Sequence, residues 1–397
     1  MKCTRNVTDH VIWVGANDRR LNLFENLFPI PRGVSYNAYL IKDEKNALMD
    51  TVDASASEQF IENVAYALNG GKLDYLVVQH MEPDHCANIQ RILELYPETK
   101  VVGNVKTMQM ISQFFDADLE GRQVVVKEGD TLELGNHTLH FVMAPMVHWP
   151  EVMVSYEDSE KILFSADAFG TFGALNGNLF NDEVDFEKDW IDDARRYFTN
   201  IVGKYGIQVQ ALLKKAAGLD IQMICPLHGP ILTENLGHYL EKYDIWSSYK
   251  VESEGVMIAY TSVYGHTKKA AELLAQKLEE KGCPKVVVCD LAREDMAEAV
   301  EDAFRYGKLV LASITYNGEA FPFMRTFIEN LTERNYQNRT IGLIENGSWA
   351  PTAAKVMKGM FEKSKNITWL ENNVKIMSSL SDENAAEIDA MAEELCK

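Results

Sequence analysis

Histidine and carboxylate side chains occur in the first 228 residues at spacings that suit a metal site. Residues 80–85 read H-x-E-x-D-H, and single candidates follow later in the chain. The candidate ligands are His80, Glu82, Asp84, His148, Asp167 and His228, with His85 as an adjacent residue. Zinc prefers a shell dominated by nitrogen or sulfur, so a mixed set with carboxylates free to bridge favours a pair of irons.

Short β-rich runs alternate with helical periodicity up to about residue 250, which predicts a mixed α/β layered domain over residues 1–250. The predicted strands are Tyr36–Ile41, Ala47–Asp50, Tyr75–Gln79, Val124–Val126, Thr138–Met143, Val152–Tyr156 and Lys161–Ala166. The predicted helices are Ser57–Leu68, Ile89–Leu95 and Val105–Phe114. The hexapeptide is expected on a turn, with a helix from Ala87. Each candidate ligand therefore follows a strand, where open sites are built.

A structural interpretation competes with the metal interpretation at every single histidine. His148 beside Trp149 would, taken alone, be a structural or surface residue. That interpretation applies to the five remaining histidines, namely His10, His137, His140, His238 and His266. Cys86, beside His85, is a weaker ligand candidate because the neighbouring set is already sufficient. The correlated set of His, Glu and Asp residues predicts a dinuclear site.

Strands and helices alternate regularly after residue 250, which predicts a second domain over residues 251–397. The predicted strands are Val256–Tyr260, Lys285–Asp290, Leu309–Ala312, Thr340–Ile344 and Val374–Ser378. The predicted helices are Thr267–Lys281, Met296–Arg305, Phe323–Glu333, Thr352–Lys363 and Glu383–Glu394. Five strands separated by helices indicate a doubly wound parallel sheet with right-handed crossovers.

Three loops after strands of this second domain suit a flavin mononucleotide. The first joins small hydroxyl residues to a glycine and a helix start, which is what a monoester phosphate needs, although a capped helix start alone would read similarly. The other two lie at the same sheet edge, where ligands bind this architecture. Tyr316 and Trp349 are candidate faces for stacking on the ring, and a core or lid role for them is also open. The candidate residues are Thr261, Ser262, Val263, Tyr264, Gly265, His266, Thr267, Ser313, Ile314, Thr315, Tyr316, Asn317, Gly318, Asn346, Gly347, Ser348, Trp349 and Ala350.

Composition excludes several classes of protein. A formal net charge of -20 argues against a nucleic-acid partner. The six cysteines form no C-x-x-C pair, which argues against a rubredoxin-type iron site or a zinc ribbon. Neither a signal-peptide apolar region nor a run of roughly 18 apolar residues occurs, so no membrane span and a cytoplasmic location are expected.

With these motifs in place, the chain resembles the metallo-β-lactamase fold and, more closely, the flavodiiron proteins. That family has H-x-E-x-D-H where the zinc hydrolases have H-x-H-x-D-H, so Glu82 is the discriminating residue. The resemblance implies that His80, Glu82 and His148 bind one iron. It also implies that Asp84 and His228 bind the other iron and that Asp167 bridges the two irons. In that family, the histidine that matches His85 is often not a ligand. The 261–267 loop is similar to the flavodoxin phosphate loop, with Tyr264 replacing the usual threonine.

The resemblance further implies an oxidoreductase that reduces dioxygen to water, nitric oxide to nitrous oxide, or both, with FMN relaying electrons to two irons. The expected electron donor is a separate rubredoxin or a reduced deazaflavin coenzyme, because the chain looks like the minimal two-domain class. A head-to-tail homodimer, or a dimer of such dimers, is expected to bring one subunit's FMN to its partner's irons.

Two other functions remain open from the sequence. One is a zinc-dependent hydrolase with an appended flavodoxin-like domain, against which Glu82 and the flavin loops weigh. The other is an electron-transfer flavoprotein with a vestigial metal site, against which the intact ligand set weighs.

Overall fold

The computed structural model describes residues 2–397, and its three large β-sheets belong to two separate parts of the chain. The chain forms two compact units. The first comprises residues up to Phe198 together with Ile207–Asp244, and the second comprises Thr199–Gly206 together with Ile245–Lys397. The boundary between residues 250 and 251 stays a prediction. Among the described residues, no helix is both long and apolar enough to cross a membrane.

The first unit contains one seven-stranded and one five-stranded sheet. The larger sheet has the order Arg5–Asn6, Val11–Trp13, Tyr39–Ile41, Ala47–Met49, Tyr75–Val77, Lys100–Gly103 and Gln123–Val125. The smaller has the order Thr131–Glu133, Thr138–Met143, Met153–Glu157, Ile162–Phe164 and Met223–Cys225. Two short ladders pair Ala16–Asp18 with Val34–Tyr36 and Leu23–Phe24 with Phe28–Pro29.

Central strands of both sheets are buried on both faces, as in Ala47–Met49 and Met153–Glu157. Strands of this kind require cover on each side, so the unit is layered, as the sequence predicted. The α-helices of this part of the chain are Ser57–Leu68, Pro83–Cys86, Ile89–Leu95, Val105–Phe114, Phe186–Asp189, Ile191–Tyr197, Gly206–Ala216 and Leu236–Ser247. Single turns of 3-10 helix occur at Ala54–Ala56, Asn181–Glu183 and Gly203–Tyr205, with a π-helical stretch at Phe198–Val202.

The predicted strand Tyr36–Ile41 is wrong as a continuous element, because the structure interrupts it at Asn37. The backbone N–H of Asn37 donates to the Leu227 carbonyl, and its side-chain amide donates to the carbonyls of Pro226 and Gly229. These bonds to the 226–229 loop replace a ladder bond. The interruption therefore fixes the loop that carries His228.

The second unit is the doubly wound parallel sheet that the sequence predicted. Its strand order is Val286–Asp290, Ser253–Tyr260, Tyr306–Tyr316, Arg339–Asn346 and Ile367–Trp369. The predicted fifth strand, Val374–Ser378, is shorter in the structure, where Val374–Ile376 pairs in parallel with Arg339–Asn346. The strand Ile367–Trp369, which pairs with the same neighbour, was not predicted. A short strand, Glu319–Ala320, adds a hairpin.

Alternation along the strands divides the core of this unit between the two faces of the sheet. Met257 and Ala259 belong to one apolar cluster, whereas Val256, Ile258 and Tyr260 belong to the other. The helices Met296–Arg305, Pro322–Glu333 and Ala353–Met360 cover the first face. The helices His266–Glu280 and Asp382–Leu395 cover the second. This period-two division is the pattern of a sheet covered on both sides by helices.

Candidate metal centre and flavin site

The six-residue motif follows a strand of the larger sheet, and its local structure differs from the predicted turn. The strand Tyr75–Val77 ends early because the N–H of Gln79 donates to the Asp50 carboxylate at 2.7 Å instead of to a neighbouring strand. A short helix then begins at Pro83, not at Ala87 as the sequence predicted. Proline suits the first helical position because its missing N–H would have had no partner there. Asp84 and His85 consequently project from a helical turn, whereas Glu82 precedes it in extended conformation.

The remaining ligand candidates follow strands of the smaller sheet. His148 lies in the loop after Thr138–Met143, Asp167 follows Ile162–Phe164, and His228 follows Met223–Cys225. All seven residues of the constellation are buried. The structure therefore brings together side chains that are up to 148 positions apart, from His80 to His228.

The seven side chains form two adjacent groups. One consists of His80, Glu82, His148 and Asp167, and the other consists of Asp84, His85 and His228. Asp167 faces both. Its Oδ2 lies 3.3 Å from His80 Nε2 and 3.2 Å from His148 Nε2. Its Oδ1 lies 3.3 Å from His85 Nε2 and 3.8 Å from His228 Nε2.

The second group includes His85, which the sequence analysis named as adjacent to the candidate ligands and not as one of them. His85 Nε2 lies 3.0 Å from His228 Nε2 and 3.3 Å from Asp84 Oδ2. His228 Nδ1 donates to the Ser35 carbonyl at 2.6 Å, so Nε2 is the ring nitrogen available to the other residues of the group. Two imidazole nitrogens at this separation need a proton or a metal ion to stabilise them.

Buried polar atoms at this site lack protein partners among the described residues. Apart from the nearby histidine ring nitrogens, the buried carboxylate oxygens of Asp84 and Asp167 have no hydrogen-bond donor in the described part of the chain. Unsatisfied buried carboxylates are costly, and a cation removes that cost. With a bridging carboxylate and a mixed nitrogen and oxygen donor set, the residues fit two divalent ions of the iron type.

The electrostatics of the cluster couple its acids and bases tightly. Burial alone would lower the pKa of His148, but hydrogen bonds to Asp167 and Glu82 raise it to about 9. Burial would likewise raise the pKa of Asp167, yet the surrounding imidazoles of His80, His148 and His85 hold it well below its ordinary value. Asp167 is therefore an anion that needs neighbouring positive charge.

Three carboxylates around the cluster were missed by the sequence reasoning. Glu151 Oε1 accepts from His80 Nδ1 at 2.9 Å and from the Met81 N–H at 2.8 Å. This contact leaves His80 Nε2 free to bind, as in many carboxylate–histidine–metal arrangements. Asp50 accepts from the backbone of Gln79 and His80. Glu25 is exposed as a residue, but its carboxyl end is withdrawn from water against the Glu82 carboxylate, and its pKa is raised to about 7.

Aromatic rings enclose the second group of ligands. The rings of Phe24, Tyr36 and Tyr197 lie at 5.5, 6.0 and 5.4 Å from the His228 ring, measured between centroids. The hydroxyl of Tyr197 is buried and has no hydrogen-bond partner among the described residues. Burial and the nearby Asp167 raise the pKa of Tyr197 well above its ordinary value, so this hydroxyl keeps its proton.

The phosphate loop of the second unit leads into the helix His266–Glu280, which starts one residue earlier than predicted. Gly265 precedes it with a φ of +88°, a conformation that favours glycine. No side chain among the described residues caps this helix. Its first-turn N–H groups and the hydroxyl of Ser262 are therefore donors suited to the FMN phosphate.

The other two flavin loops lie against this one. Thr261 Oγ1 donates to Ser313 Oγ at 3.3 Å, and Asn346 Nδ2 donates to Thr267 Oγ1 at 3.5 Å. Thr315 Oγ1 accepts from the N–H of Thr352 at 2.9 Å. These contacts join the loops at the carboxyl ends of the strands.

The loop predicted after Ala312 is wrong in one respect, because the strand Tyr306–Tyr316 continues through Ser313 and the three residues that follow it. The chain reverses at Asn317 and Gly318, both with positive φ, to form a hairpin with Glu319–Ala320. Asn346 likewise ends a strand, so only residues from Gly347 onward form the third loop. Ser378 Oγ donates to Ser348 Oγ, an added contact that the sequence did not indicate.

The aromatic candidates for flavin stacking are open to solvent. Tyr264 is 90% exposed, Trp349 is 81% exposed and Tyr316 is 47% exposed. Exposed apolar rings around an uncapped phosphate loop are suited to cover a planar aromatic ring, so the residues fit FMN.

Comparisons with known proteins agree with both units. Residues 34–229 match the family described as ODP family beta lactamase, and residues 257–377 match the flavodoxin domain. The anaerobic nitric oxide reductase flavorubredoxin of Klebsiella pneumoniae is 31% identical over 350 residues, which cover 87% of this chain and 72% of that protein.

Solved structures of similar proteins superpose over nearly the whole chain. Rubredoxin oxygen:oxidoreductase from Desulfovibrio gigas matches with a TM-score of 0.91 and 27% identity, covering 99% of this chain and 98% of its own. The flavodiiron protein from Giardia intestinalis matches in fold, with a TM-score of 0.92, 23% identity and coverage of 100% and 98%.

A metallo-β-lactamase-like unit with a two-metal constellation, followed by a flavodoxin-like unit, defines an oxidoreductase with two kinds of redox cofactor. The chain belongs to the flavodiiron family. Its cofactors are FMN and a pair of iron ions.

Replacing Glu151 tests the support of His80. We expect Glu151→Gln to lower iron affinity or activity roughly ten- to hundredfold, because the carboxylate no longer orients the imidazole. Iron content after dialysis against a chelator measures the loss. Glu157→Gln is the matched control, since Glu157 is equally buried but bonds only to the N–H groups of Ser159 and Glu160. Equal iron retention in both variants would contradict the assignment.

Replacing Trp349 tests the flavin site. We expect Trp349→Ala to weaken FMN binding by about 0.5–1.5 kcal/mol, or roughly two- to twelvefold, through loss of a stacking face. Titration of the flavin-free protein with FMN, followed by fluorescence quenching, measures the dissociation constant. Phe114→Ala, which removes an exposed ring from the other unit, should leave it unchanged. A Trp349 variant with native affinity would assign the ring a different role.

Proposed function

We propose that the protein reduces dioxygen to water, nitric oxide to nitrous oxide, or both, at a diiron centre, with FMN relaying electrons from an external donor. The observation that carries the proposal is the position of Asp167. Its two oxygens face separate ligand groups, each with imidazole nitrogens about 3–4 Å away. A carboxylate in that position would hold two ions near each other.

The assignment of ligands follows from the two groups. His80, Glu82 and His148 would hold one iron and Asp84 and His228 the other, with Asp167 between them. The contacts of His85 Nε2 support its addition to the second iron. When bound, the two irons supply electrons and open positions for a diatomic gas, and FMN supplies electrons one at a time.

The side chains around the ligands provide an apolar, proton-retaining environment. Phe24, Tyr36 and Tyr197 enclose the His228 side of the site, which suits a small uncharged gas and excludes water. Tyr197 holds a proton at its buried hydroxyl and can donate a hydrogen bond there. Both proposed reactions consume protons together with electrons, so neutral donors near the ligands support them.

The electron donor is proposed by similarity. The related structure from Desulfovibrio gigas is named a rubredoxin oxygen:oxidoreductase, and the Klebsiella pneumoniae relative is a flavorubredoxin. A separate rubredoxin is therefore the donor that we propose first, with a reduced deazaflavin coenzyme as the alternative.

Replacing Asp167 tests the reaction. We expect Asp167→Asn to abolish consumption of both gases, because an amide cannot offer two anionic oxygens to two ions, while bound FMN stays near one per chain. Parallel gas-electrode measurements on the reduced, iron- and FMN-loaded protein record the loss, and flavin absorbance records FMN. His140→Asn, a histidine outside the centre, should retain both activities. Undiminished turnover in the Asp167 variant would contradict the proposal.

Metal analysis of the same preparation separates the proposal from a hydrolase. A zinc hydrolase would contain zinc without iron at stoichiometric occupancy and would not consume either gas. Iron near two per chain, with bound flavin, is the expected result.

We also propose a head-to-tail dimer, or a dimer of such dimers, in which the flavin unit of one subunit serves the irons of its partner. The exposed aromatic side chains around the flavin loops support this proposal, because a partner surface could cover rings such as Tyr264 and Trp349. We expect gas-reduction activity per chain to fall on dilution, in step with dissociation measured by sedimentation. Full activity in a dilute monomer would contradict this arrangement.

A further inference from the structure

A second cluster of metal-ligating side chains lies in the first unit, outside the diiron centre. His10, His137 and Glu160 each offer a ligand atom, and these atoms lie within 4.8 Å of one another. His10 comes from the loop between Arg5–Asn6 and Val11–Trp13. His137 and Glu160 come from two separate turns of the smaller sheet. Taken singly in the sequence, both histidines are predicted to be structural or surface residues.

The orientation of His137 is fixed by a buried carboxylate. Asp43 Oδ2 lies 2.8 Å from His137 Nδ1 and also accepts the His137 N–H at 2.7 Å. Its Oδ1 accepts from Asn136 Nδ2 and from the N–H of Glu44. Asp43 accepts from these three N–H groups, so the contact with His137 Nδ1 has the ring nitrogen as donor, and Nε2 is the nitrogen left for a metal ion.

His10 and Glu160 complete the cluster from the solvent side. His10 Nδ1 lies 2.9 Å from Glu160 Oε1, and Thr8 Oγ1 donates to Glu160 Oε2 at 2.6 Å. The His10 and His137 rings lie 4.7 Å apart between centroids. Two ligands of a tetrahedral zinc ion with bonds of about 2.0 Å are separated by about 3.3 Å, so small movements suffice. The His10 side chain is 52% exposed, which leaves an entry path.

We propose that His10, His137 and Glu160 form a site for a divalent transition-metal ion such as Zn²⁺, with Asp43 as the residue that positions His137. Two imidazole nitrogens and one carboxylate oxygen suit zinc, whereas magnesium and calcium prefer shells of oxygen alone. The carboxylate–histidine contact is the arrangement that orients most metal-binding histidines. Water would fill the fourth position on the exposed side.

Metal binding here would tie the N-terminal loop to two turns of the smaller sheet. At present one hydrogen-bonded pair, His10 with Glu160, and the Thr8 contact make that connection. Surface ion pairs contribute little to stability, so a shared ion would be the stronger connection. The proposal concerns residues outside the diiron centre and stands independently of the proposed reaction.

Zinc titration of the iron- and FMN-loaded protein tests the site. By calorimetry we expect one added Zn²⁺ per chain, an unchanged iron content and a higher melting temperature. His10→Ala and Glu160→Gln should each weaken this binding at least tenfold and remove the thermal effect. His140→Ala is the matched control, because His140 also pairs at the surface with one carboxylate, Asp158 at 2.8 Å, but is outside the cluster.

Cobalt substitution tests the role of Asp43. Co²⁺ bound at this site should give visible ligand-field absorption, and Asp43→Asn should change that spectrum and weaken binding, whereas a merely structural change would leave the spectrum native. The proposal is overturned if wild-type protein binds no Zn²⁺ or Co²⁺ beyond its iron. Equal affinity in the wild type and His10→Ala would overturn it too, and this exposed substitution should not impair folding.

Discussion

The buried carboxylate of Asp167 is the constraint on which the diiron unit depends. It is an anion held between two sets of imidazoles, and it receives no hydrogen bond from elsewhere in the described chain. Charge of this kind is tolerated inside a protein only when it is compensated. The segments around it, from the Pro83 helix to the His228 loop, therefore place histidine ring nitrogens within about 3–4 Å of one of its two oxygens.

The positions of these histidines depend on hydrogen bonds from residues outside the candidate ligand set. Asp50 holds the backbone before the motif, Glu151 orients the His80 ring, and Asn37 fixes the loop of His228. Positive φ angles at Asp50, Met146 and Ala166, close in sequence to the ligands, show backbone held in a conformation that non-glycine residues seldom adopt. The surrounding sheets stabilise that backbone, since both have buried central strands. The support of the candidate ligands is thus distributed over the whole layered unit.

The sequence predicted the fold class and the cofactors, because hydrophobic periodicity and the H-x-E-x-D-H spacing are local properties. The identity of the individual ligands stays a prediction. The sequence analysis missed contacts between residues far apart in the chain. Glu151 lies 71 positions from His80, and Asn37 lies 189 positions from Pro226, so no spacing rule connects them. The strand Tyr306–Tyr316 is longer than predicted for a similar reason. Residues 313–316 are polar or partly exposed, yet hydrogen bonds to neighbouring strands keep them extended.

The carboxylate of Glu82 explains why this group of side chains favours iron over zinc. Its Oε2 lies 3.3 Å from His80 Nε2 and 3.0 Å from His148 Nε2, so it is placed within the first ligand group together with Asp167. A histidine at this position would leave that group with one carboxylate instead of two. The added anionic oxygen is a hard donor, and it offsets more of the positive charge of two metal ions. Since a higher oxidation state carries more charge, it gains more from this carboxylate than a lower state does. The same side chain would give no such benefit to zinc, which does not change its oxidation state.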